Sequence, residues 1–153
     1  MDVVSNNLNL SNIKPIMSKT YKFVKEKDQF FEKAFGRDHY WHYHPESIEG
    51  AESYMVKVVV PEGAGHDFHV HPQMHEILYI VKGRAEQWIE DEMQYLEVGE
   101  SVYIDADVVH ATFNAGEGEL EFLAVLSPPA GWEAGTVDVS DQAPYSGYRK
   151  QKT

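Results

Sequence analysis

Short runs of alternating apolar and polar residues fill the chain from Ala51 onward, and such alternation is typical of β-strands. In the clearest run, 54–60, every second residue is Tyr or Val, and a dense apolar run over 75–82 ends at Gly83. Further runs cover 84–90, 94–98, 101–104, 109–114 and 119–127. Because glycines separate these runs and no helical pattern alternates with them, we predict an all-β sandwich or barrel.

The segment before this region gives weaker patterns. Residues 1–19 are predicted to be a flexible lead-in, and Tyr21 and Phe23 flank Lys22 as in a short strand. Residues 28–35 have apolar positions at helical spacing, with Asp28 as a cap and Gly36 as a stop. We therefore expect one short N-terminal helix ahead of the strands.

The last part of the chain lacks a regular pattern. Pro128 and Pro129 end the final strand, and residues 129–153 contain Gly, Pro and aromatic residues. We predict an irregular C-terminal tail that packs on the barrel. With 153 residues in total, 20–153 is expected to form a single domain after the lead-in.

Composition limits the possible partners and metal ligands. The formal net charge is −12, which disfavours nucleic acid and anionic membranes as partners. There is no cysteine, so a metal would have to bind imidazole nitrogen and carboxylate oxygen. The start of the chain has no signal-peptide pattern, and no apolar run approaches the roughly 20 residues that span a bilayer. We expect a soluble, cytoplasmic protein.

Histidines are the main chemical signal in the strand region. His69 and His71 are two residues apart, so in a strand both imidazoles point to one face. Glu76 begins the next apolar run, and His110 begins a later one. Three imidazoles and one carboxylate suit a divalent transition metal, with open positions left for water or substrate. A histidine pair at this spacing also arises by chance in a chain with 8 histidines.

The spacing of these residues resembles two motifs of the cupin superfamily. Gly63, His69, His71, Glu76 and Gly83 meet every position of the first, G-x5-H-x-H-x3,4-E-x6-G. Gly99, His110 and Asn114 meet the second, G-x5-P-x-G-x2-H-x3-N, and the resemblance covers about 51–128. It implies a single jelly-roll-type β-barrel, with His69, His71, Glu76 and His110 as ligands of one divalent metal: Fe, Mn, Ni or Zn.

Two aspartates depart from the second motif. Asp105 stands where Pro is usual and Asp107 where Gly is usual, in the turn before His110. Because Asp forms turns and tolerates the left-handed region, we expect the turn to survive. We interpret both as solvated turn residues, with a catalytic acid as the alternative.

A second match to the first motif lies upstream. Gly36, His42, His44 and Glu49 have the same spacing, but no apolar strand or further histidine follows to complete a site. We interpret this match as coincidence. The alternation of Tyr40, His42 and His44 either presents polar rings to the barrel mouth or belongs to an outer strand.

Several other side chains are candidates near the site. His66, in the loop before His69, is a candidate proton carrier, and Gln87 shares a face with Ala85 and Ile89. An inward Gln87 would hold a metal-bound water or substrate, or bond another inward side chain. Thr112 and Asn114 share the face of His110, whereas His75 is expected to point away from Glu76. Tyr54 and Tyr103 suit either the core or the site.

The resemblance implies a fold and a metal, and it does not choose a reaction. We expect a metal-dependent enzyme that acts on a small molecule, with oxygenase-type chemistry as the first hypothesis and isomerase or lyase chemistry as alternatives. A non-catalytic barrel that binds a small molecule or sugar is the runner-up. A regulator's sensor domain is disfavoured, because residues 1–50 are too short and too weakly basic for a DNA-binding unit. Exposed sheet edges favour a homodimer.

Overall fold

The computed structural model describes residues 21–44, 46–48 and 50–149; the predicted flexible segment 1–19 lies outside them. Within the described residues, β-strands dominate and form two antiparallel sheets. The strands are β1 (Phe30–Ala34), β2 (Arg37–Tyr43), β3 (Tyr54–Val60), β4 (Gly65–Val70), β5 (His75–Lys82), β6 (Ala85–Ile89), β7 (Glu92–Leu96), β8 (Ser101–Ile104), β9 (His110–Asn114), β10 (Leu120–Ser127) and β11 (Val137–Asp138).

The two sheets face each other and enclose the core. The larger has the order β1-β2-β3-β10-β5-β8, and the smaller has the order β11-β4-β9-β6-β7. Strand β3 shows why the sequence folds this way, since Tyr54, Val56, Val58 and Val60 are all buried while the residues between them are partly exposed. This alternation buries one face of the strand against the opposite sheet. The predicted all-β barrel is therefore confirmed.

The predicted N-terminal helix is wrong. Phe30–Ala34 is strand β1, which pairs with β2 in a hairpin, preceded by a single 3₁₀ turn over Glu26–Asp28. Phe35 and Gly36 join the strands with φ angles of 53° and 74°, as a two-residue hairpin loop requires. Gly36 thus turns the chain between two strands instead of ending a helix. Pairing with β2 therefore determines the conformation of this segment in spite of its helical spacing. The short strand predicted around Tyr21 and Phe23 is also wrong, because residues 21–23 form no strand.

Residues 129–149 of the C-terminal tail pack on the barrel. A 3₁₀ helix over Pro129–Ala134 leads to β11, which pairs with β4. The only α-helix of the described residues, α1 (Tyr145–Tyr148), follows, and the Tyr148 ring stacks on Trp88 with 5.5 Å between centroids. The short helix of this fold is therefore C-terminal. Among the described residues, no helix is long and apolar enough to cross a membrane.

Candidate functional site

Both sheets contribute to one buried polar cluster. The smaller sheet supplies His69 near the end of β4, His71 just beyond it and His110 at the start of β9. The larger sheet supplies Glu76, the second residue of β5. One potential ligand atom from each of these four residues lies within 4.8 Å of all the others, and all four side chains are buried. The structure thus brings together the four residues predicted from the sequence.

Backbone carbonyls fix the orientation of the three imidazoles. Nδ1 of His69 lies 2.7 Å from the Asp67 carbonyl oxygen, and Nδ1 of His110 lies 2.9 Å from that of Val108. Nδ1 of His71 lies 3.3 Å from the carbonyl oxygen of Gly135, in the tail. Because a carbonyl oxygen only accepts hydrogen bonds, each Nδ1 carries the proton, which leaves the lone pair on Nε2.

The contacts of Glu76 at the centre of the cluster require a positive charge. Oε2 of Glu76 lies 3.0 Å from Nε2 of His110 and 3.2 Å from Nε2 of His71. Because Nδ1 of each imidazole already carries the proton, the lone pair of each Nε2 would face the negatively charged carboxylate and repel it. Either a proton on Nε2 or a metal ion between the donors relieves this repulsion. The donor set of three imidazoles and one carboxylate fits a divalent transition metal.

The pKa values within the cluster follow from its burial and contacts. Burial disfavours an ionised Glu76, yet hydrogen bonds from His110 and His71, donated when their Nε2 atoms are protonated, hold the pKa of its carboxyl well below the usual range. Burial, together with neighbouring His66 and His110, holds the pKa of His69 well below its ordinary value. The cluster therefore combines an ionised carboxylate with a neutral His69 imidazole, the forms that bind metal ions.

The turn before His110 forms although Asp105 and Asp107 replace the usual Pro and Gly of the second motif. Asp107, in the glycine position, has a φ of 64°, and its backbone N–H donates to the His71 carbonyl oxygen at 2.9 Å. Asp105 accepts a hydrogen bond from the Tyr103 hydroxyl at 3.2 Å. Both aspartates are exposed and neither lines the cavity, which supports their interpretation as turn residues.

A cavity of about 530 Å³ opens beside the cluster between the two sheets. Its walls are largely apolar and include Trp41, Phe122, Leu126 and Trp132. The two indoles pack edge to face, with 5.5 Å between ring centroids. This volume suits a small molecule, and the apolar walls would exclude water from around it.

Two candidate catalytic residues occupy different environments. His66 lines the cavity and stacks on His69 with 3.5 Å between ring centroids, and burial together with Arg37 lowers its pKa to about 3. Gln87 is buried, and its amide oxygen accepts a hydrogen bond from the Thr112 hydroxyl at 2.7 Å. Thr112 lines the cavity but Gln87 does not, so Gln87 bonds another inward side chain.

Other candidates have structural partners. The Asn114 amide donates to the carbonyl oxygens of Val60 and Gly118, which ties loops together away from the cluster. His75 points away from Glu76, as predicted, and its Nε2 lies 2.8 Å from the Ser127 hydroxyl. Tyr54 belongs to the buried core, whereas Tyr103 is exposed.

The upstream match to the first motif forms no site among the described residues. His42 Nε2 lies 3.2 Å from the Gln29 amide, and the His44 ring packs on Trp41 and Trp132. Glu49 lies outside the described residues. The inner face of β2 instead presents Arg37, His39 and Trp41 to the cavity.

Sequence reasoning missed the first two of these inner residues. Arg37 is buried, and its Nη1 donates to the Gly65 carbonyl oxygen at 2.8 Å. Nδ1 of His39 is buried without a hydrogen-bond partner among the described residues. Burial, followed by the charge of Arg37, lowers the pKa of His39. The signal was available, because Arg37, His39 and Trp41 alternate directly after the Phe35-Gly36 turn.

Comparisons with known proteins agree with this architecture. Residues 56–126 match the family described as the cupin domain. An uncharacterised protein of Methanocaldococcus jannaschii is 29% identical over 86 residues, which are 56% of this chain and 69% of that protein. The mannose-1-phosphate guanylyltransferase ManC of Salmonella typhimurium is 34% identical over 104 residues, but these cover only 22% of its length and 62% of this chain.

The fold also matches a solved structure. KdgF from Halomonas sp. superimposes with a TM-score of 0.61 at 22% identity, over 71% of this chain and 94% of that protein. At this identity the likeness concerns the fold alone.

Proposed function

Because the chain belongs to the cupin superfamily, we propose that it is a metal-dependent enzyme that acts on a small molecule. The observation that carries this proposal is that three imidazoles, each with its Nδ1 next to a backbone carbonyl oxygen, converge with the Glu76 carboxylate. His69, His71, Glu76 and His110 would hold one divalent ion, with Fe, Mn, Ni and Zn as the candidates. These four donors leave coordination positions free for a substrate.

The metal would supply Lewis acidity and, if it is iron, access to oxygen chemistry. The chain's own residues would do the rest. Apolar side chains such as Phe122 and Leu126 exclude water from the cavity. His66, held beside His69 and neutral at physiological pH, would orient the substrate through a hydrogen bond from its ring. Oxygenase-type chemistry is our first hypothesis, with isomerase or lyase chemistry as the alternatives.

One observation favours a second function, the non-catalytic binding of a small molecule or sugar. Trp41 and Trp132 place two indole rings in the cavity wall, and flat apolar molecules and sugar faces pack well on such rings. The distinction between the two functions is turnover. His66, adjacent to the cluster, is the feature that favours an enzyme.

Oxygen uptake by the iron-loaded protein tests the proposal. Protein purified anaerobically is loaded with Fe(II) or Zn(II) and screened against small aromatic and thiol substrates in an oxygen electrode, with product analysis by NMR. We expect uptake that requires both Fe(II) and a substrate. Conversion with Zn(II) but without oxygen uptake would favour isomerase or lyase chemistry, and binding without conversion would favour the non-catalytic function.

A matched pair of variants shows whether the cluster is responsible. His69→Ala with His71→Ala removes two cluster residues, whereas His42→Ala with His44→Ala removes two histidines outside it. The first variant should lose all uptake and the second should keep it. Equal uptake in the first variant and the wild type would refute the assignment of the active site.

A further inference from the structure

The inner end of strand β2 places a buried cation in the cavity wall. Arg37 is 5% exposed, and its side chain donates from Nη1 to the Gly65 carbonyl oxygen. Among the described residues it forms no ion pair. A guanidinium has five N–H donors and remains protonated in proteins. Within that part of the chain its charge and most of its donors are unpaired, so they are available to a molecule that enters the cavity.

The other carboxylates of the cavity wall do not neutralise this charge. Oε2 of Glu32 accepts a hydrogen bond from the Trp41 indole at 3.3 Å. Oδ1 of Asp67 accepts one from the Phe68 N–H at 2.8 Å, and Oδ1 of Asp138 accepts from Ser140. All three carboxylates belong to exposed residues, whereas Arg37 is buried. Burial of an uncompensated cation is costly, so its retention suggests that it binds an anion.

His39 adds a second polar group at the same end. Arg37 and His39 are two residues apart in β2, so their side chains share the inner face of the strand. The buried Nδ1 of His39, without a partner among the described residues, offers one more hydrogen-bonding atom beside the guanidinium. Together they add a guanidinium and an imidazole nitrogen to a cavity wall that also carries the carboxylates of Glu32, Asp67 and Asp138.

Strand β4 connects this polar end to the metal-binding cluster. Arg37 contacts the carbonyl of Gly65, the next residue is His66, and the ring of His66 stacks on His69 of the cluster. The guanidinium, His66 and the cluster therefore follow one another along one wall of the cavity. A molecule that binds at both ends needs two separated polar groups joined by a short apolar part.

We propose that Arg37 and His39 form an anion-binding end of the cavity, and that the substrate carries a carboxylate there while a separate oxygen atom meets the cluster. The second half of this proposal rests on the proposed function, whereas the anion-binding end does not require a metal. A carboxylate fits better than a phosphate, because the cavity wall holds one guanidinium together with Glu32, Asp67 and Asp138, and one guanidinium balances a single negative charge.

A pair of isosteric probes tests the anion-binding end. Benzoate and benzamide have nearly the same shape and differ in charge, and both are small compared with a cavity of about 530 Å³. Their affinities are measured by calorimetry and by the fluorescence of Trp41 and Trp132, on the protein as purified and after removal of metal by a chelator. We expect benzoate to bind at least about tenfold more tightly than benzamide in both forms, as a charge-assisted hydrogen bond implies.

Variants separate this role from a structural one. Arg37→Gln should weaken benzoate binding about tenfold and leave benzamide within about twofold, and Arg37→Lys should recover part of the loss. Arg84→Gln is the control, because Arg84 pairs with Glu97 outside the cavity and its loss should change neither affinity. A purely structural role for Arg37 would change both probes alike.

Other outcomes would overturn the proposal. Equal affinity of the wild type for benzoate and benzamide, or no detectable binding of either at millimolar concentration, contradicts an anion-binding end even if Arg37→Gln fails to fold. Tighter binding of phenyl phosphate than of benzoate refutes the carboxylate assignment. Because the chelated protein is measured as well, failure of the cluster to bind metal is recognised separately.

Discussion

His69 and His110 lie directly opposite each other on the paired strands β4 and β9, and their ring centroids are 4.1 Å apart. This register brings two imidazoles from distant parts of the chain to one point. Because side chains alternate between the two faces of a strand, a slip of one residue would turn His110 out of the barrel. The geometry of the cluster therefore depends on the close pairing of β4 with β9 in this register.

Gly65 on β4 leaves room for β9 to pair closely, and replacing it tests whether the cluster needs this close pairing. A Cβ at this position would clash with the Phe113 ring and lie 2.8 Å from the Thr112 carbonyl oxygen, both on β9. We expect Gly65→Ala to lower the free energy of unfolding by about 1–3 kcal/mol and to weaken metal binding. Gly147→Ala is the control, because its Cβ meets nothing within 4 Å. Equal denaturant midpoints and metal affinities in the two variants would contradict this account.

Thr136 tests whether the C-terminal tail positions a cluster histidine. Its hydroxyl lies 3.2 Å from Nδ1 of His71 and can accept the same proton as the Gly135 carbonyl. Thr136→Val keeps the shape and removes the acceptor, so metal affinity should fall roughly tenfold without loss of fold. Thr136→Ser should restore it. Ser140→Ala, further along the same segment, should have no effect on metal titrations, and a similar loss in both variants would refute a specific role for Thr136.

The pH dependence of stability tests the environment of His66. In the folded protein its pKa is about 3, against an ordinary value of 6.5. Between these values the unfolded chain binds more protons than the folded one. The free energy of unfolding should therefore fall as the pH drops from 6.5 towards 3.

His66→Phe isolates this contribution, because phenylalanine can keep the stacking on His69 but cannot take up a proton. The metal-free variant should lose less stability than the metal-free wild type between about pH 6.5 and pH 4.5. The measurement is the urea midpoint across that range. Parallel curves for the two proteins would show that His66 is not held unprotonated.

The buried pair of Gln87 and Thr112 tests whether Gln87 is structural. Each residue is 2% exposed, and the hydrogen bond between their side chains measures 2.7 Å. Gln87→Leu and Thr112→Val should each lower the free energy of unfolding by about 1–3 kcal/mol, because each leaves a buried polar partner unpaired. The double variant should cost less than the sum of the two. Additive effects in denaturant titrations, or loss of metal from Gln87→Leu, would contradict a structural role.

Local patterns predicted the parts of the fold that local chemistry decides. The alternation in Tyr54–Val60 predicted β3, because every second residue packs into the core. The resemblance to the two cupin motifs likewise implied the four cluster residues, and the structure brings them together. That these four bind metal stays a prediction, as do the homodimer and the cytoplasmic location.

Features that depend on distant pairing escaped the sequence analysis. Phe31, Ala34 and Phe35 have helical spacing, but strand β2 pairs with this segment and imposes an extended backbone. The roles of Arg37 and Thr136 arise from contacts with Gly65 and His71, 28 and 65 positions away in the chain. The pattern of residues within one segment cannot predict contacts between residues so far apart in the chain. The composition of the cavity wall therefore could not be predicted from the sequence.

The most direct test of the central claim is elemental analysis of protein purified anaerobically without added metal or chelator. We expect about one divalent transition metal per chain in the wild type and in His42→Ala/His44→Ala. In His69→Ala/His71→Ala we expect none, with the β-sheet circular dichroism preserved. Metal retained near one per chain in that variant, or a wild type that neither contains metal nor takes it up on titration, would contradict the account.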